Sequence, residues 1–210
     1  YQSQNAVLDL PDIYGSEYGY TFAAAIAAAL SLGISLSKSI SALSEYRAPA
    51  GRLRVFSGMH NSHLLDSSYN ASPSSVKSAL KLISQVGGKE SKIAVLGDLR
   101  ELGSVTKSSH QILAQDVLNN LDEVVLFGEY TAKYTLPLLQ NFNFPVHHFT
   151  KMSDLIAYLR HSIKPNSWIL FKGSQNEIYL ERAVEALLAN PSDSKFLARR
   201  GKYWDQKRSL

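Results

Sequence analysis

From Gly51 onward the sequence swings between short apolar runs and longer stretches with apolar residues at helical spacing. Strand-like runs fall at 53–56, 63–66, 92–96, 123–127, 146–149 and 168–171. Helical patterns fall at 73–86, 105–118, 130–140, 153–161 and 177–188. Strands alternating with helices predict an α/β fold, a mainly parallel sheet with helices on both faces. The crossovers should be right-handed, and groups that meet a ligand should lie beyond the C-terminal ends of the strands.

The first 49 residues follow a different pattern. An apolar segment at 6–10 reads as one strand followed by a loop punctuated by Pro11 and Gly15. One strand cannot bury itself, so this is no start of a domain. Residues 20–32 are alanine-rich and apolar on nearly all sides, which predicts a buried helix stopped by Gly33. A second helix is expected over 37–46, with Ile40 and Leu43 on one face. The segment 47–51, RAPAG, reads as a linker and candidate pivot. Residues 1–49 are therefore expected to be the last part of an upstream domain, and 50–210 a complete second domain.

With 45% apolar residues in a chain of 210, a sizeable core is available. The absence of cysteine excludes disulfides, thiolate metal ligands and a cysteine nucleophile. The longest apolar run, 22–32, is too short to span a bilayer, and no signal-peptide pattern opens the chain. The expectation is a soluble, cytoplasmic protein. The net charge of +4 is concentrated in the last 16 residues, which carry +5. The rest is close to neutral, so a nucleic-acid-binding surface is not expected. The tail reads as a solvated basic end, with an anionic partner as the alternative.

The informative positions are the strand ends. The run at 63–66 leads into Asp66, Ser67, Ser68, Tyr69 and Asn70. Pro73 then stands where a helix can begin, with Ser72 as candidate N-cap. A strand that ends in polar groups and feeds a helix N-terminus is a common binding place for phosphorylated ligands. After 92–96 comes GDLRELG, Gly97–Gly103, with His110 further on; after 123–127 come Gly128 and Glu129; after 168–171 comes KGSQN, Lys172–Asn176. These four loops should open on one sheet edge and offer carboxylates, a lysine, amides and hydroxyls. Taken singly, each has an ordinary reading: Asp98 and Glu101 as helix caps or partners of Arg100, Lys172 as an exposed strand-end lysine, Gly97 and Gly173 as turn glycines. No HExxH, GxSxG, GxGxxG or GxxxxGK[ST] pattern occurs. A triad of Ser174, His110 and Asp98 has nothing specific in its favour. If the chain uses a nucleotide, the main phosphate cradle lies elsewhere, and no metal ligands are expected in it.

The motifs LLDSSYNASPSS, VLGDLRELG with a downstream histidine, and ILFKGSQN resemble, in order, the C-terminal region of the Mur ligases, and most the D-alanyl-D-alanine-adding branch. The preceding GYTFAAAIAAALSLGIS and APAGRL are similar to the helix and Gly-Arg joint that end that family's central ATPase domain. The resemblance implies a Rossmann-like last domain preceded by a helical remnant of the ATPase domain. It implies ATP and Mg²⁺ as cofactors, held mainly upstream, and formation of an amide bond through an acyl phosphate. The implied partners are a UDP-MurNAc-peptide and an amino acid or dipeptide, with no nucleic acid, no membrane span and a monomeric state. The chain alone is not expected to turn over.

Carried over by motif, Arg52, Asp66, Ser67, Tyr69 and Asn70 fall on nucleotide-binding positions, and Tyr18 falls where an adenine-facing residue is expected. Asp98, Glu101, His110, Lys172, Gly173, Ser174 and Asn176 fall on substrate-binding positions. No residue is assigned a catalytic role. The pattern departs from the family at three places. Ser67 replaces an aspartate expected at the ribose, Glu17 and Tyr18 replace a His-Asn pair, and Ser72 replaces an asparagine. Those departures motivate an alternative, a Mur-like module retired from catalysis and kept for binding or scaffolding. A folylpolyglutamate or polyglutamate-type sister ligase is the other.

Overall fold

In the computed structural model, which describes residues 5–10, 13–175 and 177–208, six short strands form one sheet. They are β1 (Arg54–Ser57), β2 (His63–Ser67), β3 (Lys92–Gly97), β4 (Glu123–Phe127), β5 (Val146–Phe149) and β6 (Trp168–Lys172). Their order across the sheet is β1-β2-β6-β3-β4-β5. All neighbours are parallel except β1, which pairs antiparallel with β2 at the edge. The helices α3 (Pro73–Val86), α4 (Thr106–Asn120), α5 (Leu136–Asn141), α6 (Met152–Ser162) and α7 (Glu181–Leu187) connect or follow these strands. The expected mainly parallel α/β sheet is thus the observed one.

Side chains on a strand alternate between faces, and two cores result. Leu64, Val95, Val125, Ile169 and Phe171 pack on one face with Leu155 and Leu159 of α6 and Val184 of α7. Leu65, Ala94, Leu96, Leu126 and Leu170 pack on the other with Leu80 and Ile83 of α3 and Leu113 and Val117 of α4. The start of α3 follows its sequence signals: the Ser72 hydroxyl accepts the Ser75 N–H, the Ser75 hydroxyl accepts the Ser72 N–H, and Pro73 opens the helix.

Two helical stretches differ from expectation. The pattern at 130–140 begins as a π-helix over Thr131–Thr135 before α5. Pro137 cannot donate to the carbonyl four residues back, so the regular ladder is interrupted there. The pattern at 177–188 shortens to α7, because Glu177 and Tyr179 adopt positive φ of 65° and 43°. Beyond it the chain adds a 3₁₀ segment, Pro191–Phe196, and α8 (Lys202–Arg208).

The chain divides into two compact units, Tyr1–Pro49 and Ala50–Leu210, the second holding the whole sheet. The first contains α1 (Glu17–Ser31) and α2 (Leu36–Leu43). Gly33, at φ +81°, ends α1. The expectation of a buried alanine-rich helix is not met: in α1 only Phe22 is buried, and Tyr20 is 83% exposed. A helix apolar all round needs a second layer, and α2 with residues 5–10 covers only part of it. An apolar groove of about 1070 Å³ remains, lined by Leu8, Ile13, Phe22, Ile26 and Leu30 among others. Tyr18 belongs to an aromatic cluster in this unit, stacked on Phe22 at 5.8 Å and edge-on to Tyr46 at 5.9 Å. Among the described residues no helix is long and apolar enough to cross a membrane.

Candidate functional site

The C-terminal end of β2 carries Asp66 and Ser67, and the chain then turns through Ser68, Tyr69 and Asn70 into α3. Strand alternation sends the side chains of Asp66 and Ser67 to opposite faces, and both are buried, at 0% and 5% exposure. Asp66 Oδ1 accepts the Ser68 N–H at 3.0 Å. Burial pushes the Asp66 carboxyl up from its ordinary value, against the pull of hydrogen bonds from Ser68 and Gly51 and of the Arg199 charge. Ser67 Oγ accepts from Lys172 Nζ at 3.2 Å, and the same ammonium donates to the Asn70 carbonyl at 2.9 Å. Lys172, expected to be exposed if ordinary, is only 4% exposed. Asp66 and Ser67 therefore lie beneath the surface that the motif comparison assigns them to; they hold the turn from below.

Above them the turn presents its outer residues. Tyr69 is 39% exposed, and Asn70 and Arg52 are exposed. The Arg52 guanidinium lies over the Tyr69 ring, 4.7 Å from its centroid. Gly51 makes this approach possible. It sits at φ +68°, its carbonyl accepts the Tyr69 N–H at 3.2 Å, and a Cβ there would stand 2.8 Å from the Tyr69 backbone nitrogen.

A second set of loops is stitched together around Asp98. Its N–H donates to the Phe127 carbonyl at 3.1 Å, its carbonyl accepts the Ser174 N–H at 3.1 Å, and its Oδ1 accepts the Thr131 N–H at 2.8 Å. One residue thereby ties together the ends of β3, β4 and β6. Ser174 Oγ accepts the Arg100 N–H at 2.7 Å. His110 Nε2 accepts the Leu99 N–H at 3.1 Å while Nδ1 faces the Thr106 carbonyl at 2.8 Å, which makes Nδ1 the protonated nitrogen. His110 is fully buried, so it anchors the loop rather than meeting a substrate directly. Gly97 and Gly173 are more than turn glycines: a Cβ on Gly97 would lie 3.3 Å from the Gly173 Cα and 2.4 Å from Ile178 Cγ2.

Of the groups expected at substrate, Asp98, His110, Lys172, Gly173 and Ser174 are thus buried and spent on holding loops, while Glu101 is exposed at a left-handed φ of 63°. Asn176 lies outside the described residues. Arg100, which also projects from this edge, pairs with Glu177. Sequence reading missed Arg199 and Glu181. The Arg199 guanidinium donates to Glu181 Oε2 at 2.8 Å, with side-chain exposures of 2% and 0%. Arg200 pairs with Glu185 at 2.9 Å. The tail is accordingly no solvated basic end throughout. Among the described residues no cluster of three His, Asp or Glu side chains is placed to hold a metal ion.

With its folded-state pKa raised, Asp66 binds its proton more tightly in the folded protein than in the unfolded chain, and this contribution to stability is lost as pH rises from about 4. Relative to wild type, an Asp66→Asn variant should gain unfolding midpoint as the pH is raised above the ordinary carboxylate range, as read by urea titrations at successive pH values. A constant difference would contradict the raised pKa.

Among protein families, the one described as "Mur ligase, glutamate ligase domain" matches residues 51–175. The UDP-N-acetylmuramoyl-tripeptide–D-alanyl-D-alanine ligase of Bacillus subtilis (strain 168) is 30% identical over 154 residues, 71% of this chain and 33% of the relative. The Escherichia coli (strain K12) ligase of the same name is 29% identical over 153 residues, 71% of this chain and 32% of the relative. A crystal structure of MurF from Acinetobacter baumannii superposes with a TM-score of 0.73 at 26% identity, covering 83% of this chain and 38% of that one. A MurF ligase from Thermotoga maritima, solved in complex with ADP, shares the fold at a TM-score of 0.69 and 23% identity, covering 82% of this chain and 38% of that one. The chain spans about a third of the length of the curated relatives it matches. Because the matched segment takes in more than half of its residues, the chain belongs to the Mur ligase family.

Proposed function

We propose that this chain is the C-terminal part of an ATP-dependent ligase that joins D-Ala-D-Ala, or an amino acid, to a UDP-MurNAc-peptide. The observation that carries this reading is the exposed cluster of Arg52, Tyr69 and Asn70 at the end of β2. Its residue types fit a nucleoside phosphate. A guanidinium is permanently charged and forked for phosphate oxygens, a half-exposed ring offers a face to a base or ribose, and an amide supplies both donor and acceptor. ATP would activate a carboxylate as an acyl phosphate, which the incoming amine then attacks. The part assigned to this chain is positioning and charge compensation rather than covalent chemistry. Mg²⁺ would be held by the ATP phosphates and mainly by residues upstream of this chain, since among the described residues no group of three His, Asp or Glu side chains is gathered to hold a metal ion.

The loops tied together by Asp98 support a second role. Glu101, Arg100 and Glu177 project from the rim of β3 and β6, beside a scaffold in which Ser174 and His110 are already engaged. We assign to that rim the approach of the amine substrate, with Glu101 as the group to contact its ammonium. The position of Ser67 also bears on the retired-module alternative. Because Ser67 is buried against Lys172, its difference from the family pattern changes an internal contact of the turn and leaves the exposed cluster intact.

The reading is tested in the full-length protein by phosphate release from ATP with UDP-MurNAc-tripeptide, with and without D-Ala-D-Ala, and with glutamate plus a folate acceptor. Release that requires the peptide and D-Ala-D-Ala is the expected result; release driven only by the folate pair, or none at all, overturns it. Arg52→Ala should raise the ATP KM about tenfold, the loss of roughly 1.4 kcal/mol of a charge-assisted contact. An unchanged ATP KM would remove Arg52 from the nucleotide surface.

A further inference from the structure

The segment that follows α7 lies outside the family's matched residues 51–175, yet it reaches the turn that carries Tyr69. The Arg199 guanidinium donates through Nη2 to the Tyr69 carbonyl at 2.5 Å and through Nη1 towards the Ser68 carbonyl at 3.5 Å. Lys172 takes the next carbonyl, that of Asn70, at 2.9 Å. Three successive carbonyls of the turn are therefore turned inward onto two buried cations. The Arg199 charge is matched by Glu181, and its planar group also lies over the rings of Tyr69, Tyr179 and Trp204, at 5.3, 5.6 and 5.9 Å.

Such a guanidinium is held from every side, which explains its backbone. Arg199 sits at φ +56°, a left-handed conformation that costs an ordinary residue about 1 kcal/mol or more and persists only where contacts over-determine it. Its neighbour Arg200 pairs with Glu185, one helical turn beyond Glu181 on α7, so two successive arginines set the register of the tail on that helix.

We propose that Arg199 is a positioning residue: a strap from the C-terminal tail that fixes the Ser68–Asn70 turn and so presents Tyr69 and Arg52 to the nucleotide. The inference rests on the nucleotide reading of that surface given above. A strap of this kind acts through the turn and touches no ligand. Losing it should weaken nucleotide binding more than it slows the chemical step, because the exposed groups remain but no longer sit in one geometry.

The test uses the full-length enzyme carrying Arg199→Lys, which keeps a positive charge opposite Glu181 but gives up the planar fork that serves Glu181 and the turn carbonyls from separate nitrogens. Arg200→Ala serves as the comparison, since Arg200 anchors the same tail without bonding the turn. A paired Arg199→Gln, Glu181→Gln variant removes both buried charges should the lysine variant fold poorly. Hydrogen exchange at the amides of residues 69–71 should quicken about tenfold in the Arg199 variants and stay within twofold in Arg200→Ala. The ATP KM should rise about tenfold with kcat within threefold. Unchanged exchange at 69–71 overturns the strap. Faster exchange with an ATP KM that neither Arg199→Lys nor Arg52→Ala moves overturns the nucleotide reading instead.

Discussion

Replacing Glu181 by alanine should lower the unfolding free energy of the domain by about 3–5 kcal/mol. Glu181 and Arg199 form an ion pair almost wholly removed from water. Removing the carboxylate leaves a guanidinium with no means of losing its charge in a place that water does not reach. The comparison is Glu185→Ala. That pair, with Arg200, is 26% and 40% exposed, and its loss should cost less than about 1 kcal/mol. Urea unfolding of the two variants reads the difference directly. Equal losses would mean that the buried pair is no more consequential than the exposed one.

Gly128→Ala should be comparably damaging, at about 3 kcal/mol or more. Gly128 adopts φ +118°, and a Cβ there would stand 2.4 Å from Asp98 Cγ. The carboxylate would have to move, and the Thr131 N–H would lose its acceptor. Because Asp98 ties three strand ends together, the damage should spread through residues 97–102. A double-mutant cycle separates the two causes. In an Asp98→Ala background the clash is gone and only the backbone strain remains, so the loss in the double variant should fall short of the sum of the two single losses by more than about 1 kcal/mol. Strictly additive losses would show that the close approach to Asp98 does not matter.

The sheet was legible because its signals are local. Ser72 and Pro73 mark the start of α3, and the apolar runs at 123–127 and 146–149 coincide with β4 and β5. That the loops after β2, β3, β4 and β6 converge on one edge follows from parallel topology alone. What each loop residue does there was not legible. Asp98, His110 and Ser174 are recognisable as motif residues, but whether a side chain faces a ligand or a backbone N–H depends on the neighbouring strand, which sequence spacing does not encode. His110 finds the Leu99 N–H only because α4 packs beside the loop. The tail failed for a related reason. A run of basic residues reads as solvated, and the carboxylate that buries Arg199 lies 18 positions earlier on a helix whose start is masked by the turns at Glu177 and Tyr179. Apolar composition alone does not bury the alanine-rich helix, because burial requires a partner surface and, among the described residues, its own unit covers only part of it.

The two arginines over the Tyr69 ring differ in one respect that ionic strength exposes. Arg199 is sealed from solvent, and Arg52 stands in it. Mobile ions screen exposed charges over about 8 Å at 0.15 M and over about 3 Å at 1 M, but they barely reach a buried pair. Added salt should therefore weaken whatever Arg52 contributes to an anionic ligand while leaving the shape of the turn intact. The same ring is thus approached by one cation that responds to the ionic medium and one that ignores it, and a salt titration can apportion binding between attraction and architecture without altering a residue.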